Sequence, residues 1–208
     1  MCDHGHSHGG CAGEAQQSTT PIVMRYDMHQ FVDKDKVTVL NEAQDGTGKL
    51  VFKDMESRLD RSTFVLSDCD EELLFNIPFT GHVRLTGLSI IGEEESSHPA
   101  IIRLFKDKPA MSFDDCSIEA DQEISLKMDP QGQIDYPLKA SKFTNITHLS
   151  VQVTKNFGSD ETKVFYIGLR GEFQHDFRQR VAIATYEARA IPEDHKGEIP
   201  EGNHFEMM

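Results

Sequence analysis

The residues best suited to chemistry lie close together at the N-terminus, where thiol and imidazole side chains alternate with glycine and serine. They are Cys2, His4, His6, His8 and Cys11. Thiolate and imidazole donors at such short spacing bind zinc or copper. Structural zinc sites usually lie on a hairpin or helix, which this Gly-rich segment lacks, and His-rich tracts also bind metal without a function. A solvated tail without a cofactor is therefore the favoured prediction, and a zinc site is the alternative.

Acidic segments form the second group of candidate residues. The members of the two segments are Asp68, Asp70, Glu71, Glu72, Glu93, Glu94 and Glu95. The carboxylates of the first segment and of the pair Asp114-Asp115 are of the kind that binds calcium, but no EF-hand spacing is present. Acidic side chains usually just solvate a surface, and they also steer the encounter with a basic partner. We interpret them, with the apolar C-terminal cluster of Phe205, Met207 and Met208, as candidate partner-binding residues.

Catalytic motifs are missing from the sequence. It has no G-x-S-x-G nucleophile elbow, no H-E-x-x-H zinc motif and no C-x-x-C redox pair. Cys69 and Cys116 are expected to be reduced thiols rather than a disulfide. The absence of Trp weakens a sugar-binding interpretation. The sequence therefore predicts a protein that is not an enzyme.

Charge and hydropathy limit the partners. The 208 residues carry a net charge of -14, from 21 basic and 35 acidic side chains. Nucleic acids and anionic membranes bind through Lys and Arg, so neither is an expected partner. No apolar run reaches the length of about 18–20 residues that spans a bilayer, and the N-terminus does not resemble a secretory signal. We expect a monomer in the cytosol, with the nucleus as a further location.

Period-two hydrophobicity is the main signal for secondary structure. Leu73, Phe75, Ile77 and Phe79 alternate with other residues, as in a half-buried strand. A turn is predicted at residues 80–82. A second strand follows, with a β-bulge near Gly87 and an irregular or edge position for Pro78. The same alternation places Leu149, Val151 and Ile167 in the core.

Short strands recur along the chain at intervals of about 8–14 residues, and no long amphipathic helix interrupts them. This pattern predicts an all-β fold, an antiparallel β-sandwich or jelly roll. Ala110–Phe113 and Val181–Tyr186 are among the predicted strands. Residues 1–20 and 193–208 contain too little apolar surface to fold, so they are expected to be disordered tails around a domain at residues 21–192.

Three long motifs in this order resemble the PITH domain family. They are DCDEELLFNIPF at residues 68–79, KFTNITHLSV at 142–151 and KVFYIGLRGEF at 163–173. LNEAQDGTGKLVFK at 40–53 and TYEARAIPEDHK at 185–196 extend the resemblance to almost the whole chain. The family is named for proteasome-interacting thioredoxins, but this chain has neither a thioredoxin motif nor space for that domain, so redox activity is not expected to transfer.

The resemblance implies a galactose-binding-like jelly roll. It further implies a non-catalytic interaction module that associates with the regulatory particle of the 26S proteasome, with a regulatory role in proteostasis or differentiation. A second hypothesis remains open: a β-sandwich that binds metal or a small ligand through its His-rich tail or its rim.

Overall fold

The computed structural model describes residues 26–176, which form antiparallel strands joined by loops and three short 3-10 helices. The helices cover Met28–Phe31, Gly48–Val51 and Asp114–Ser117. The strands are β1 Thr38–Leu40, β2 Val65–Leu66, β3 Leu73–Gly92, β4 Pro99–Lys106, β5 Gln122–Ser125, β6 Tyr136–Pro137, β7 Ile146–Asn156 and β8 Lys163–Asp176. The fold is thus all-β, as the strand pattern predicted.

Strand β3 is 20 residues long and organises the fold. The predicted turn at residues 80–82 is wrong, because Gly81 and His82 pair with Asp176 and His175 of β8 in a continuing strand. A Cβ atom at Gly81 would lie 2.6 Å from the carbonyl oxygen of His175. Gly81 therefore permits a close approach of two strands, a role that a sequence pattern does not distinguish from a turn.

The two halves of β3 have different neighbours. Residues 73–78 pair with β7 on one side, and residues 74–76 pair with β1 on the other. Residues 81–92 pair mainly with β8, and Gly87 and Leu88 also pair with β6. The β7 register shifts between Pro78 and Val83, where the strand exchanges neighbours. This irregularity agrees with the expectation for Pro78, which has no N–H to donate.

One hydrophobic core connects both halves of β3. Phe75 and Ile77 of the first half pack in the same cluster as Leu85 and Leu88 of the second half. The sheet, in the order β2-β8-β3-β7-β4-β5, therefore folds over its own core as a sandwich. All six residues predicted for the core are at most 2% exposed: Phe75, Ile77, Phe79, Leu149, Val151 and Ile167.

The second face of β3 is covered as well. Leu74 packs with Phe105, Met111 and Cys116 in a separate cluster. The predicted strand at Ala110–Phe113 is wrong, since this segment is irregular and Ala110 has φ of 54°. The Asn76 side chain donates to the Met111 carbonyl oxygen at 2.9 Å and accepts from the Met111 N–H at 3.2 Å. A side chain thus satisfies the backbone groups that a neighbouring strand would otherwise bind.

The bulge predicted near Gly87 is confirmed by a register shift in the β3–β8 pairing between Leu85 and Gly87. A Cβ atom at Gly87 would lie 2.5 Å from both Arg170 Nη2 and Asp135 Oδ1, so the ion pair of these residues requires glycine there. The predicted strand at Val181–Tyr186 and both predicted tails lie outside the described residues.

Candidate partner-binding surface

The two acidic segments, which lie at opposite ends of β3, both lie beside the start of β8. The Thr162 hydroxyl donates a hydrogen bond to the Glu71 carbonyl oxygen at 2.6 Å. The next residue, Lys163, forms an ion pair of 3.2 Å with Glu93. Thr162 precedes β8 and Lys163 begins it, so both ends of β3 lie beside the start of β8. The strand therefore bends, and we place this bend between Pro78 and Val83, where its register with β7 shifts. The structure therefore brings both predicted segments together, although 20 strand residues separate them.

The first acidic segment is shaped by Asn41, which has φ of 67°. The Asn41 side-chain amide donates to Asp70 Oδ1 at 2.8 Å and to the Glu72 carbonyl oxygen at 2.7 Å. Its side-chain oxygen accepts a hydrogen bond from the Cys69 N–H at 3.1 Å. Asp68 and Asp70 are exposed. Their carboxylates are thus presented to solvent on a loop that the Asn41 side chain fixes.

A polar groove of ≈ 700 Å³ opens beside this segment. Asp70, Glu72 and Asp114 contribute carboxylates to its lining, together with the exposed ring of Phe113. Glu72 is not freely available, because Gln152 donates a hydrogen bond to its Oε2 at 3.0 Å. The groove is acidic and wide open, which is suited to a basic protein surface rather than to an enclosed small molecule.

The second acidic segment follows β3 directly. Glu93 is half-buried and paired with Lys163, whereas Glu94 and Glu95 are exposed. The segment is fixed through its backbone, since the Lys163 N–H donates to the Ser97 carbonyl oxygen at 3.0 Å. Glu94 and Glu95 form no ion pair within residues 26–176. These two carboxylates are therefore open to a partner's cations.

His98 holds the base of the same loop through hydrogen bonds of its ring. No sequence pattern had marked it as a functional residue. Its ring is 1% exposed, and Nε2 accepts a hydrogen bond from the Asp129 N–H at 3.1 Å. The other ring nitrogen, Nδ1, lies 2.7 Å from the Pro99 carbonyl oxygen and donates to it. This arrangement requires the neutral imidazole. Burial lowers the pKa of His98 below its usual value, which favours the same neutral form.

Two thiols lie near the first acidic segment, and both are free. Cys69 is exposed, and its hydrogen bond to Asp68 raises the pKa of the thiol. Burial raises the pKa of Cys116. A raised pKa disfavours the nucleophilic thiolate, so neither cysteine has the lowered pKa of a reactive thiol.

Metal binding has no support in the described part of the chain. Within residues 26–176, no three His, Cys, Asp or Glu side chains are grouped to hold a metal ion. The candidates Cys2, His4, His6, His8 and Cys11 lie outside these residues, as do Phe205, Met207 and Met208. The same described residues contain no helix that is long and apolar enough to cross a membrane.

Three side chains form a partly buried network that no pattern in the sequence had indicated. The Tyr26 hydroxyl donates to Asp135 Oδ1 at 2.5 Å, and Arg170 Nη2 lies 2.8 Å from Asp135 Oδ2. Burial, with the hydrogen bond to Asp135, raises the pKa of Tyr26 far above its usual range. The members are separated by 109 and 35 residues, so no local motif announces them. This network fastens residue 26 and β8 to the loop before β6.

The fold and this surface together define an all-β sandwich protein with an open, acidic candidate site. A PITH domain family model matches residues 20–190. PITH domain-containing protein ZK353.9 of Caenorhabditis elegans is 69% identical over 97% of both chains. PITH domain-containing protein 1 of Homo sapiens is 49% identical over 97% of this chain and 98% of its own length. The chain belongs to the PITH domain family.

The chain also resembles solved structures at low sequence identity. The CBM32-3 module of a family 31 glycoside hydrolase from Clostridium perfringens has a TM-score of 0.45 at 15% identity, covering 69% of this chain and 96% of that one. The C-terminal domain of a chitobiase from Bacteroides fragilis has a TM-score of 0.46 at 11% identity, covering 68% and 97%.

Proposed function

We propose that this protein is a non-catalytic interaction module that associates with the regulatory particle of the 26S proteasome. The observation that carries the proposal is membership of the PITH domain family across residues 20–190. The family takes its name from proteasome-interacting thioredoxins, and no C-x-x-C pair is present here for reductase chemistry. The module acts as a monomer in the cytosol and nucleus, and a regulatory role in proteostasis or differentiation would follow from the association.

The contact surface that we propose is the edge beside the start of β8, where both acidic segments lie. Loops on a rigid sandwich present side chains without disturbing the core. Glu94 and Glu95 are exposed on a backbone that is fixed by β8. Fixed, unpaired carboxylates accelerate the encounter with a basic surface and lose this effect as salt screens them.

The test is capture of purified 26S proteasome by the immobilised full-length chain, measured from about 50 to about 300 mM salt. We expect capture at low salt that declines as salt rises. The double variant Glu94→Lys/Glu95→Lys is expected to slow association about tenfold and to flatten its salt dependence. Glu93 is left unchanged, because its loss would also release Lys163.

A charge-matched control is available at the opposite end of the sandwich. Asp35→Lys/Asp176→Lys changes the net charge equally, and both residues are exposed. Asp176 pairs with Gly81 at the bend of β3, and the turn that contains Asp35 is bonded to Pro78 through the Asp33 N–H. This control is expected to bind like the wild type. Failure of the folded wild-type chain to capture the proteasome at low salt would overturn the proposal.

A further inference from the structure

An apolar groove lies beside the acidic edge, along strand β2. Its volume is ≈ 490 Å³. The side chains of Leu50 and Phe64 line it and are 45% and 38% exposed. Large apolar side chains with this exposure, on two separate segments and facing one groove, are typical of a surface that a partner covers.

A second groove of ≈ 490 Å³ lies next to Phe165, whose ring contacts Phe64. It is lined by Glu93, Glu94 and Glu95 with Arg61, Lys163 and Phe165. The rings of Phe64 and Phe165 meet edge to face, with centroids 6.1 Å apart and planes at 69°. These two rings therefore form a common wall between an apolar groove and an acidic groove.

The two basic side chains of the acidic groove contact the rings of this wall. Lys163 Nζ lies 4.7 Å from the centroid of Phe64 and 5.2 Å from that of Phe165. The guanidinium carbon of Arg61 lies 4.5 Å from the centroid of Phe165. Lys163 also pairs with Glu93. Cation–π contacts thus hold both basic side chains against the rings, while Glu94 and Glu95 stay unpaired within residues 26–176.

We propose that the two grooves form one docking surface for a protein segment that carries an apolar side chain next to a basic one. The apolar side chain packs between Leu50 and Phe64, and the Lys or Arg crosses the Phe64–Phe165 wall to reach Glu94 and Glu95. This inference rests on the proposed function, because the segment is one that the proteasome regulatory particle supplies.

Charge decides against a second copy as the occupant. Each chain carries a net charge of -14, so two acidic edges repel each other. A basic–apolar segment satisfies both grooves, since its cation meets open carboxylates and its apolar group covers exposed Leu50 and Phe64. In such surfaces a buried apolar anchor contributes most of the affinity and the charged rim controls the association rate.

The decisive variant is Leu50→Ala/Phe64→Ala, tested with purified 26S proteasome as the probe. We expect affinity to fall at least about tenfold through faster dissociation, because the apolar anchor of the partner loses its contacts. Ile118→Ala is the matched control, since Ile118 is 41% exposed and lines a separate groove. It is expected to bind like the wild type. Equal binding of the double variant and the wild type would overturn the docking surface and leave the proposed function standing.

A second measurement tests the docking surface without the proteasome. The probe is a synthetic extended peptide with one Leu flanked by Lys, added to the isotope-labelled full-length chain in an NMR titration. Shifts of amide signals in residues 43–50 and 61–66 are expected. They should disappear in the Leu50→Ala/Phe64→Ala variant, and also when the peptide carries Glu in place of Lys. Absence of these shifts in the wild type, or concentration-dependent dimerisation through Phe64, would refute the inference even if the proteasome is not captured.

Discussion

The hydroxyl of Thr162 donates a hydrogen bond to the carbonyl oxygen of Glu71 at 2.6 Å, which fastens the start of β3 to the start of β8. Thr162 is fully buried, and its own N–H donates to Ser67 Oγ at 2.8 Å. The same short stretch continues into Lys163, which holds Glu93 after the end of β3. This relationship keeps both acidic segments on one edge.

Replacing Thr162 with valine should therefore destabilise the protein. Valine has the same shape but leaves the partly buried Glu71 carbonyl oxygen without its donor, at a cost of about 1–3 kcal/mol. Urea unfolding measures the difference. The control is Thr80→Val, since Thr80 is exposed in β3, and it should stay within about 0.5 kcal/mol of the wild type. A Thr162 variant as stable as the Thr80 variant would contradict the role assigned to this hydrogen bond.

Truncation of a core side chain should have a larger effect. Leu149 is 0% exposed at the centre of the cluster that joins both halves of β3. Leu149→Ala is expected to cost about 2–5 kcal/mol through lost burial and the remaining cavity. Leu59, which is 44% exposed, supplies the control for the same substitution. Similar unfolding midpoints for the two variants would mean that Leu149 is not a core residue.

Two tyrosines should respond oppositely to loss of their hydroxyl groups. The Tyr166 hydroxyl is buried without a hydrogen-bond partner in residues 26–176, and burial raises its pKa to about 12. Tyr166→Phe should be neutral or stabilising, because it removes an unsatisfied polar group. Tyr26→Phe should cost about 1.5–3 kcal/mol, because it removes a hydrogen bond to the Asp135 carboxylate. Thermal unfolding of the two variants side by side checks the prediction, and a less stable Tyr166 variant would reverse the interpretation.

His98 should make stability depend on pH below about 6.5. Its folded-state pKa is lowered by burial, so the unfolded chain binds the proton first as the pH falls. Stability is therefore fully present above about 6.5 and is lost between that value and the lower folded-state pKa. Urea midpoints measured from pH 7.5 to 5, roughly the range in which histidine titrates, should fall less steeply in His98→Gln than in the wild type. Identical slopes would show that the buried imidazole does not control this transition.

Deletion of residues 1–20 should leave the melting temperature almost unchanged. The segment has almost no apolar side chain to bury, so its composition offers no folding energy. Thermal unfolding of the truncated chain against the full chain is the measurement. A truncated chain that fails to fold would show that the N-terminal segment is structural.

Local patterns in the sequence determined most of the strands and their inward faces. Period-two alternation is a property of one strand, so Phe75, Ile77 and Leu149 could be placed in the core without knowing their neighbours. The bulge at Gly87 was predictable because a slip of apolar parity is visible within a few residues. The motif order was likewise sufficient to indicate the family.

Tertiary structure decided which strands pair with each other, and this pairing decided which residues form the site. Thr80-Gly81-His82 has turn-like residues, yet it stays extended because β8 pairs with it across the bend. Glu71 and Glu93 contact the neighbouring residues Thr162 and Lys163 only because that bend returns β3 to the place where β8 begins. The common wall of Phe64 and Phe165 joins residues about 100 positions apart in the chain. Hydrophobic periodicity carries no information on such pairs, because it records which face of a strand is buried and not which segment buries it.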